Sequence, residues 1–425
     1  MKIKVKIGIL FFILCTSCAT YTKANEEMRQ AVYRGDIPSA IAKLESTDLK
    51  DEKNNYALYR MEKGMLTYLN NNYKESIPLW VDADKHLDDL YTLSLSKTAA
   101  SFLVNDSVTD YEGESHERML IPIFSSVAFL ADGNKENAAV MIRRANEVFN
   151  VIQDSNSKEK NSKFKYDAFS YYFAGVVFET RQEWDNAIIS YRKSLENSEK
   201  LFRNGQQSQS SQLIASSLLR LAKMRNRNDL LTQYSIYLES PYSQKIDKNY
   251  GVVYIILESG RVPIKVEKEY IIPINNQIER ISFPVYEDVS YSSHYCDVNL
   301  DGNYAGRTVV LENIGEMAKK SLEDRRVRDF AKMTARLIAK HILTEKLAEK
   351  NQWLGLAGQV YSAVSETADT RSWTTLPDTL QVLPVVMAAH QPHTLNFRPQ
   401  NGGETSVKIQ VNPGEIKIYR FRTYQ

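Results

Sequence analysis

The sequence predicts an α+β multidomain chain: an N-terminal α-solenoid over residues 18–240, then an α+β half over 241–425 with a long helix and a β-sandwich-like end. Three observations carry that reading. Small and aromatic residues recur at matching offsets between Ala24 and about Ser240, with helical periodicity. After Tyr242 the pattern changes to short β-rich runs divided by turn residues, beginning with Gly251-Val-Val-Tyr-Ile-Ile-Leu257. Between two such β stretches, Glu316 to Lys350 gives the strongest helix signal in the chain, with an apolar stripe at Met317, Leu322, Phe330, Leu337 and Ile342.

The first residues set the expected location. A basic start, Met1 to Lys6, is followed by an apolar core, Ile7 to Leu14, of signal-peptide length and too short to span a bilayer. Leu14-Cys15-Thr16-Ser17-Cys18 then resembles the lipobox of bacterial lipoproteins, with Cys15 where a Leu or Val is usual. That resemblance implies a signal peptide over 1–17 and lipidation of Cys18, with a thioether-linked diacylglycerol and an N-acyl chain such as palmitate. An ordinary secretory signal or an uncleaved anchor is the alternative. One acyl chain holds a protein reversibly, whereas two or three hold it nearly permanently. Ala19, rather than Asp, follows the cysteine. In lipoproteins of enteric type this resembles the pattern sorted to the outer membrane. The expectation is therefore the cell envelope, at the periplasmic face of a Gram-negative outer membrane.

Composition narrows the function classes. A 43% hydrophobic, 25% charged chain is of ordinary globular type. The formal net charge is +2, and −1 once Lys2, Lys4 and Lys6 leave with the signal, which argues against nucleic-acid binding. Cysteine occurs only as Cys15, Cys18 and Cys296, so Cys296 is left without a disulfide partner and reads as a buried, inert thiol.

Within the helical half the clearest unit is Phe169 to Leu195, with Gly175, Phe178, Trp184, Ala187, Tyr191 and Ser194 at small and aromatic positions. The same register recurs over Ala57 to Leu87 (Gly64, Tyr73, Ser76, Trp80, Ala83), Ile121 to Val148 (Phe129, Gly133, Ala138, Ile142, Ala145) and Met28 to Leu44 (Gly35, Ile37, Ala40). These units resemble tetratricopeptide repeats in spacing. One helix pair cannot bury its own apolar face, so such units stack, and their concave side is the expected surface for a protein partner. An irregular helical bundle would read similarly. Polar breaks fall at Ser101 to Arg118, Asp154 to Lys165 and Asn204 to Ser211; helices follow over Gln212 to Arg225 and Asp229 to Leu238. More broadly, Asn105-Asp106, Tyr111 to Arg118, Val140 to Arg144, Gly260 to Lys265, and Ala368 to Trp373 with Leu376-Pro377 resemble a family of uncharacterised bacterial lipoproteins that join a helical-repeat half to a β-rich half. That resemblance implies architecture and no activity.

In the second half, strands are expected over Gly251 to Leu257, Val262 to Ile274 and Ile281 to Tyr286, with Pro284 at an edge or bulge. Asp297, Asn299, Asp301 and Gly302 read either as the start of a calcium loop or as a hairpin. The hairpin is preferred because Thr308 stands where the bidentate Glu would be. Arg325, Arg326 and Arg328 form a basic cluster that would face an acidic partner, lipid headgroups or the local acids Glu323, Asp324 and Asp329. Trp353 to Val364 is a short apolar helix or loop. Asp369 and Arg371 are a candidate ligand clamp, or a structural pair beside a buried Trp373. Strands follow at Leu380 to Val386, Thr394 to Phe397, Ser406 to Val411 and Glu415 to Phe421, resembling a small β-sandwich.

No catalytic constellation, metal set or cofactor motif emerges. His116-Glu117 lacks the second histidine of a zincin, His390 and His393 lie in a turn, and there is no phosphate loop or nucleophile elbow. Glu112, Glu114 and Glu117 read as acids at a helix end, either solvated or paired with the helix dipole, rather than as an acid–base set. The expected function is a non-enzymatic, lipid-anchored adaptor or assembly scaffold that binds a protein partner through its repeats. A glycan- or peptidoglycan-binding lipoprotein is the alternative, discriminated by exposure of Trp353, Trp373 and the C-terminal tyrosines. An envelope hydrolase is the third reading, with Glu112 to Glu117 facing Asp369 and Arg371.

Overall fold

A computed structural model describes residues 21–94, 109–156, 168–201, 208–239, 249–274, 277–350 and 368–424. Cys18, Trp353 and the Trp353 to Val364 segment lie outside the described residues, as do most of the expected polar breaks.

Among the described residues, after a short helix α1 (Tyr21–Ala24), five helix pairs follow: α2 (Glu26–Tyr33) with α3 (Ile37–Glu45), α4 (Tyr56–Leu69) with α5 (Tyr73–Ser94), α6 (Ser115–Ala131) with α7 (Lys135–Asn156), α8 (Ala168–Thr180) with α9 (Trp184–Leu201), and α10 (Gln209–Met224) with α11 (Asn228–Tyr234). The repeat is visible in the turns. Each pair is joined through one left-handed residue: Gly35, Asn71, Gly133, Gln182 and Asn226. In each turn the next amide donates five residues back, as in Asp36 N to Ala31 O (3.0 Å) and Glu183 N to Phe178 O (2.9 Å). Gly64 and Gly175 lie seven residues before their left-handed positions. A Cβ at Gly64 would stand 2.4 Å from Trp80 Nε1, and one at Gly175 2.6 Å from Tyr191 Cε1. The small residue therefore exists to admit the aromatic of the second helix.

The expected break at Ser101 to Arg118 ends earlier than its polarity suggests. Ser115 to Arg118 already belong to α6, whose start is closed by a capping box between Glu114 and Glu117.

The second half contains β1 (Tyr250–Ser259), β2 (Ile264–Ile274), β3 (Gln277–Glu287), β4 (Cys296–Leu300), β5 (Asn303–Arg307), β6 (Val309–Asn313), helix α12 (Ile314–Lys350), β7 (Thr379–Ala388), β8 (Pro392–Pro399), β9 (Thr405–Gln410) and β10 (Ile416–Thr423). One sheet has the order β10-β1-β7-β6 and a second β5-β4-β8-β9, while β2 and β3 form a separate two-stranded ribbon. The last strand lies parallel to the first, Val252 opposite Ile416. The terminal β region is thus not a unit of its own, because both sheets combine strands from before and after α12.

Strand β1 explains its own continuous apolar sequence by being buried on both faces. Val252, Tyr254 and Ile256 join the helical core, while Val253, Ile255 and Leu257 join a second cluster with Cys296, Val298, Leu395 and Phe397 from the other sheet. Helices, first sheet and second sheet are three successive layers. Asp301-Gly302 forms the β4–β5 turn with both residues left-handed.

Candidate functional site: the inner face of the repeats

The first helices of the pairs present one face to the β half, the face that lines the concave side of a repeat array. It is not open. Tyr68, Phe124, Tyr172 and Tyr191 share a core with Tyr254, Ile256, Trp373 and Leu380. The expectation of a partner bound along that face is therefore corrected: the chain's own second half fills it.

The filling is polar as well as apolar. Glu62 on α4 is fully buried and takes the segment after Arg371 end-on: Thr374 N and Oγ1 donate to Oε1, both at 2.7 Å, and Thr375 Oγ1 donates to Oε2 at 2.5 Å. Tyr21 Oη donates to the same carboxylate at 2.9 Å. Burial raises the Glu62 pKa against these hydrogen bonds from Thr375, Thr374 and Tyr21. Glu117 on α6 accepts from Trp373 N at 2.6 Å and from Tyr111 Oη. Glu179 on α8 accepts from Arg220 (2.6 Å), Tyr191 (2.5 Å) and Tyr254 (2.7 Å). Tyr68 Oη donates to Glu258 of β1 at 2.5 Å.

At one end these contacts merge into a cluster of charged groups. Lys265 of β2 pairs with Glu114 and donates to Arg371 O at 2.7 Å, and Arg325 of α12 reaches Glu114 at 2.6 Å. Burial alone would push the Glu114 carboxyl up, but the Arg325 and Lys265 cations outweigh it and hold it well below the ordinary range. Burial, reinforced by the Glu114 charge, raises Glu117. Burial pushes His116 down to about 3, although Glu114 favours its charged form. Of the two readings of these acids, the solvated one holds for Glu112 alone, which is exposed; Glu114 and Glu117 are sealed at the N-terminus of α6, where they form its capping box.

Asp369 and Arg371 do pair, with Arg371 Nε and Nη2 donating to the two carboxylate oxygens at 2.9 and 2.7 Å. Nη1 of Arg371 donates to Asn55 Oδ1 (3.0 Å) and Thr109 O (2.9 Å), so the fork pins the loop to the entrance of α4. Trp373 is 1% exposed, its ring 6.0 Å from those of both Trp80 and Phe124. Asp297 pairs with Arg307 at 2.8 Å, and Asp301 with His393 at 2.6 Å and Thr394 N at 2.8 Å, so these calcium-loop oxygens serve the hairpin. Cys296 is buried, and burial pushes its thiol up to about 12.

The carboxylates Glu62 and Glu179 escaped the sequence reading, whereas Glu117 was noticed but not placed in the core. The signal of the two missed ones was local: each interrupts a helical face otherwise lined by apolar residues, as in Gly175-Val-Val-Phe-Glu179.

No protein-family model and no curated protein matches the chain. Solved structures that match include a Podosopora anserina protein described as a candidate kinesin light chain with nearly identical TPR-like repeats, and a point variant of it. They are 14% and 13% identical over 50% of this chain and 92% of theirs, each with a TM-score of 0.34. That level of likeness carries nothing further, and the repeat architecture rests on the turns and packing described above.

Proposed function

We propose that the chain is a non-enzymatic scaffold of the cell envelope, tethered through acylated Cys18 at the periplasmic face of the outer membrane, that binds a protein partner on the outer helices of its repeats. The observation that supports this reading is the occupancy of the inner face. With that face filled from within, the array offers its second helices outward, and exposed apolar side chains recur on three of them: Val81 on α5, Val140 on α7 and Ile189 on α9. The two facing sheets, read as a β-sandwich, buttress the array. Glycan stacking loses Trp373, which is in the core. A hydrolase reading loses Glu114 and Glu117, which are closed off and engaged with Lys265, Arg325 and backbone amides.

The test has two parts. Metabolic acyl labelling and fractionation of wild type and Cys18→Ala should show a labelled, membrane-bound wild type and an unlabelled, released variant. A photoreactive residue at Val140 or Ile189 should then give a discrete protein crosslink in cells, absent from an equivalent at Asn401. An unlabelled wild type ends the tether reading, and silence at both helices ends the outer-face reading.

A further inference from the structure

The ribbon β2–β3 and helix α12 leave the body together. Lys265 at the ribbon base and Arg325 on α12 meet at Glu114. Farther out, Phe283 stacks on Phe330 at 5.8 Å, and Ile281 packs with Met333. Ribbon and helix therefore advance side by side, the helix by about 1.5 Å per residue and the strands by about 3.4 Å. Among the described residues the ribbon pairs with no other strand. Outward from these contacts lie Ile271, 74% exposed, and the i, i+4 positions Ile338 and Ile342, 44% and 47% exposed. Ile271 is on the ribbon face turned away from α12, since Tyr270 and Ile281 face the helix, and Ile338 and Ile342 are on the ridge that winds round the helix from Phe330 at 47%. Tyr270, also exposed, lies against Phe283. Such a set of large apolar side chains at the outer end of a projection is costly in water.

Charge indicates what covers it. Helix α12 holds ten Lys and Arg against six Asp and Glu, a net +4, whereas the whole chain sums to +2. Arg326 and Arg328 are exposed within one turn of Phe330. Asp329 is shared by Arg325 and Arg328, and the ribbon is close to neutral. A second copy docked on this end would set one cationic flank against the same flank, which is unfavourable across a two-fold contact. An anionic bilayer surface answers both the apolar and the cationic features, and it demands no matching shape. Among the described residues no helix is long and apolar enough to cross a membrane, so the contact is interfacial.

We propose that the ribbon and the outer part of α12 form a membrane-contacting arm that seats Ile271, Ile338 and Ile342 in the headgroup region of an anionic leaflet. This contact is separate from the acyl tether and does not depend on it.

The full chain carrying a dansyl amino acid at 271, 338 or 401 is mixed with phosphatidylglycerol–phosphatidylethanolamine vesicles containing brominated acyl chains. Quenching is expected at 271 and 338 and not at 401. Replacing Ile271 or Ile338 by Asp in the otherwise unlabelled chain lowers vesicle affinity on the order of tenfold. Arg326→Gln and Arg328→Gln each lower it about fivefold, and only on anionic vesicles. These side chains are exposed, and circular dichroism confirms that each variant folds. Equal signals at 271, 338 and 401 overturn the proposal. So does self-association by sedimentation that the Asp variants abolish while vesicle binding is unchanged. Acyl labelling of Cys18 is scored separately, so a failed tether and a failed arm are told apart.

Discussion

Glu62 gives the sharpest test of how the second half is held. Its carboxylate accepts from two consecutive threonines and from Tyr21, all buried or nearly so. Glu62→Ala removes the acceptor and strands the Thr374 and Thr375 amides in a site that water does not reach. Each orphaned donor costs about 1–3 kcal/mol, while the desolvated carboxylate is itself removed and returns part of that. The net local loss is about 3 kcal/mol, which is an exchange acceleration of on the order of a hundredfold. Glu62→Gln keeps one carbonyl for Thr374 and loses about half as much. Hydrogen exchange resolved at the 372–378 peptides is the assay, with the β8–β9 hairpin as internal control. If Glu62→Ala leaves exchange at Thr374 and Thr375 within a factor of three or so of wild type, the carboxylate does not hold the segment, and the account of the sealed face fails.

Two further outcomes follow from the packing and the charges. Gly175→Ala would ordinarily stabilise a helix by about 1 kcal/mol; here the new Cβ meets Tyr191 at 2.6 Å, so urea unfolding should show a loss of about 1–3 kcal/mol, the opposite sign. His116, whose ring faces Tyr286 and lies near Glu114, Lys265 and Arg325, has a folded-state pKa of about 3 against an ordinary 6.5, so between those values only the unfolded chain takes the proton and stability falls as pH falls. From pH 6.5 to 5, wild type should lose about 2 kcal/mol relative to His116→Gln, read as a pH-dependent gap between their urea midpoints; the raised Glu117 carboxyl acts in the opposite direction and cancels in that comparison.

Much of the helical half was legible because its determinants are local. A glycine and an aromatic sixteen residues on mark one helix pair, and the turn between them needs one left-handed residue. The units nevertheless lie 36, 62, 49 and 44 residues apart by those residues, so a fixed-period reading finds only the first two in strict step. The β half was legible strand by strand, since Gly260, Asp301-Gly302 and Gly414 all occupy left-handed turn positions. Strand order was not, because the parallel pairing of β1 with β10 joins residues more than 160 apart through nothing in either segment alone. The same holds for the inner face. Glu62 and Thr374 are 312 residues apart, and Glu117 and Trp373 are 256 apart. A carboxylate placed within an apolar stripe announces that a partner exists without saying which.

That long-range core also decides what residue 240 means. The sequence places a domain boundary there, where the hydrophobic period changes. Yet ten buried apolar side chains beyond it, Val252, Tyr254, Ile256, Val262, Leu311, Ile314, Trp373, Leu376, Leu380 and Val382, belong to the same cluster as the helices. At about 1.5 kcal/mol or more apiece, their burial against the array is of order 15 kcal/mol, as large as the whole net stability of an ordinary domain. Residues 18–240 alone would present that face to water and leave Glu62, Glu117 and Glu179 without their partners from the second half. The expected result is an expanded, aggregation-prone fragment, recovered as a folded species only when residues 241–425 are co-expressed. Calorimetry of the intact chain should show both halves melting in one transition. A monomeric 18–240 fragment with a cooperative melt within a few degrees of the intact chain would mean that the β half is a lodger on a self-sufficient array. The inner face could then open to a partner after all.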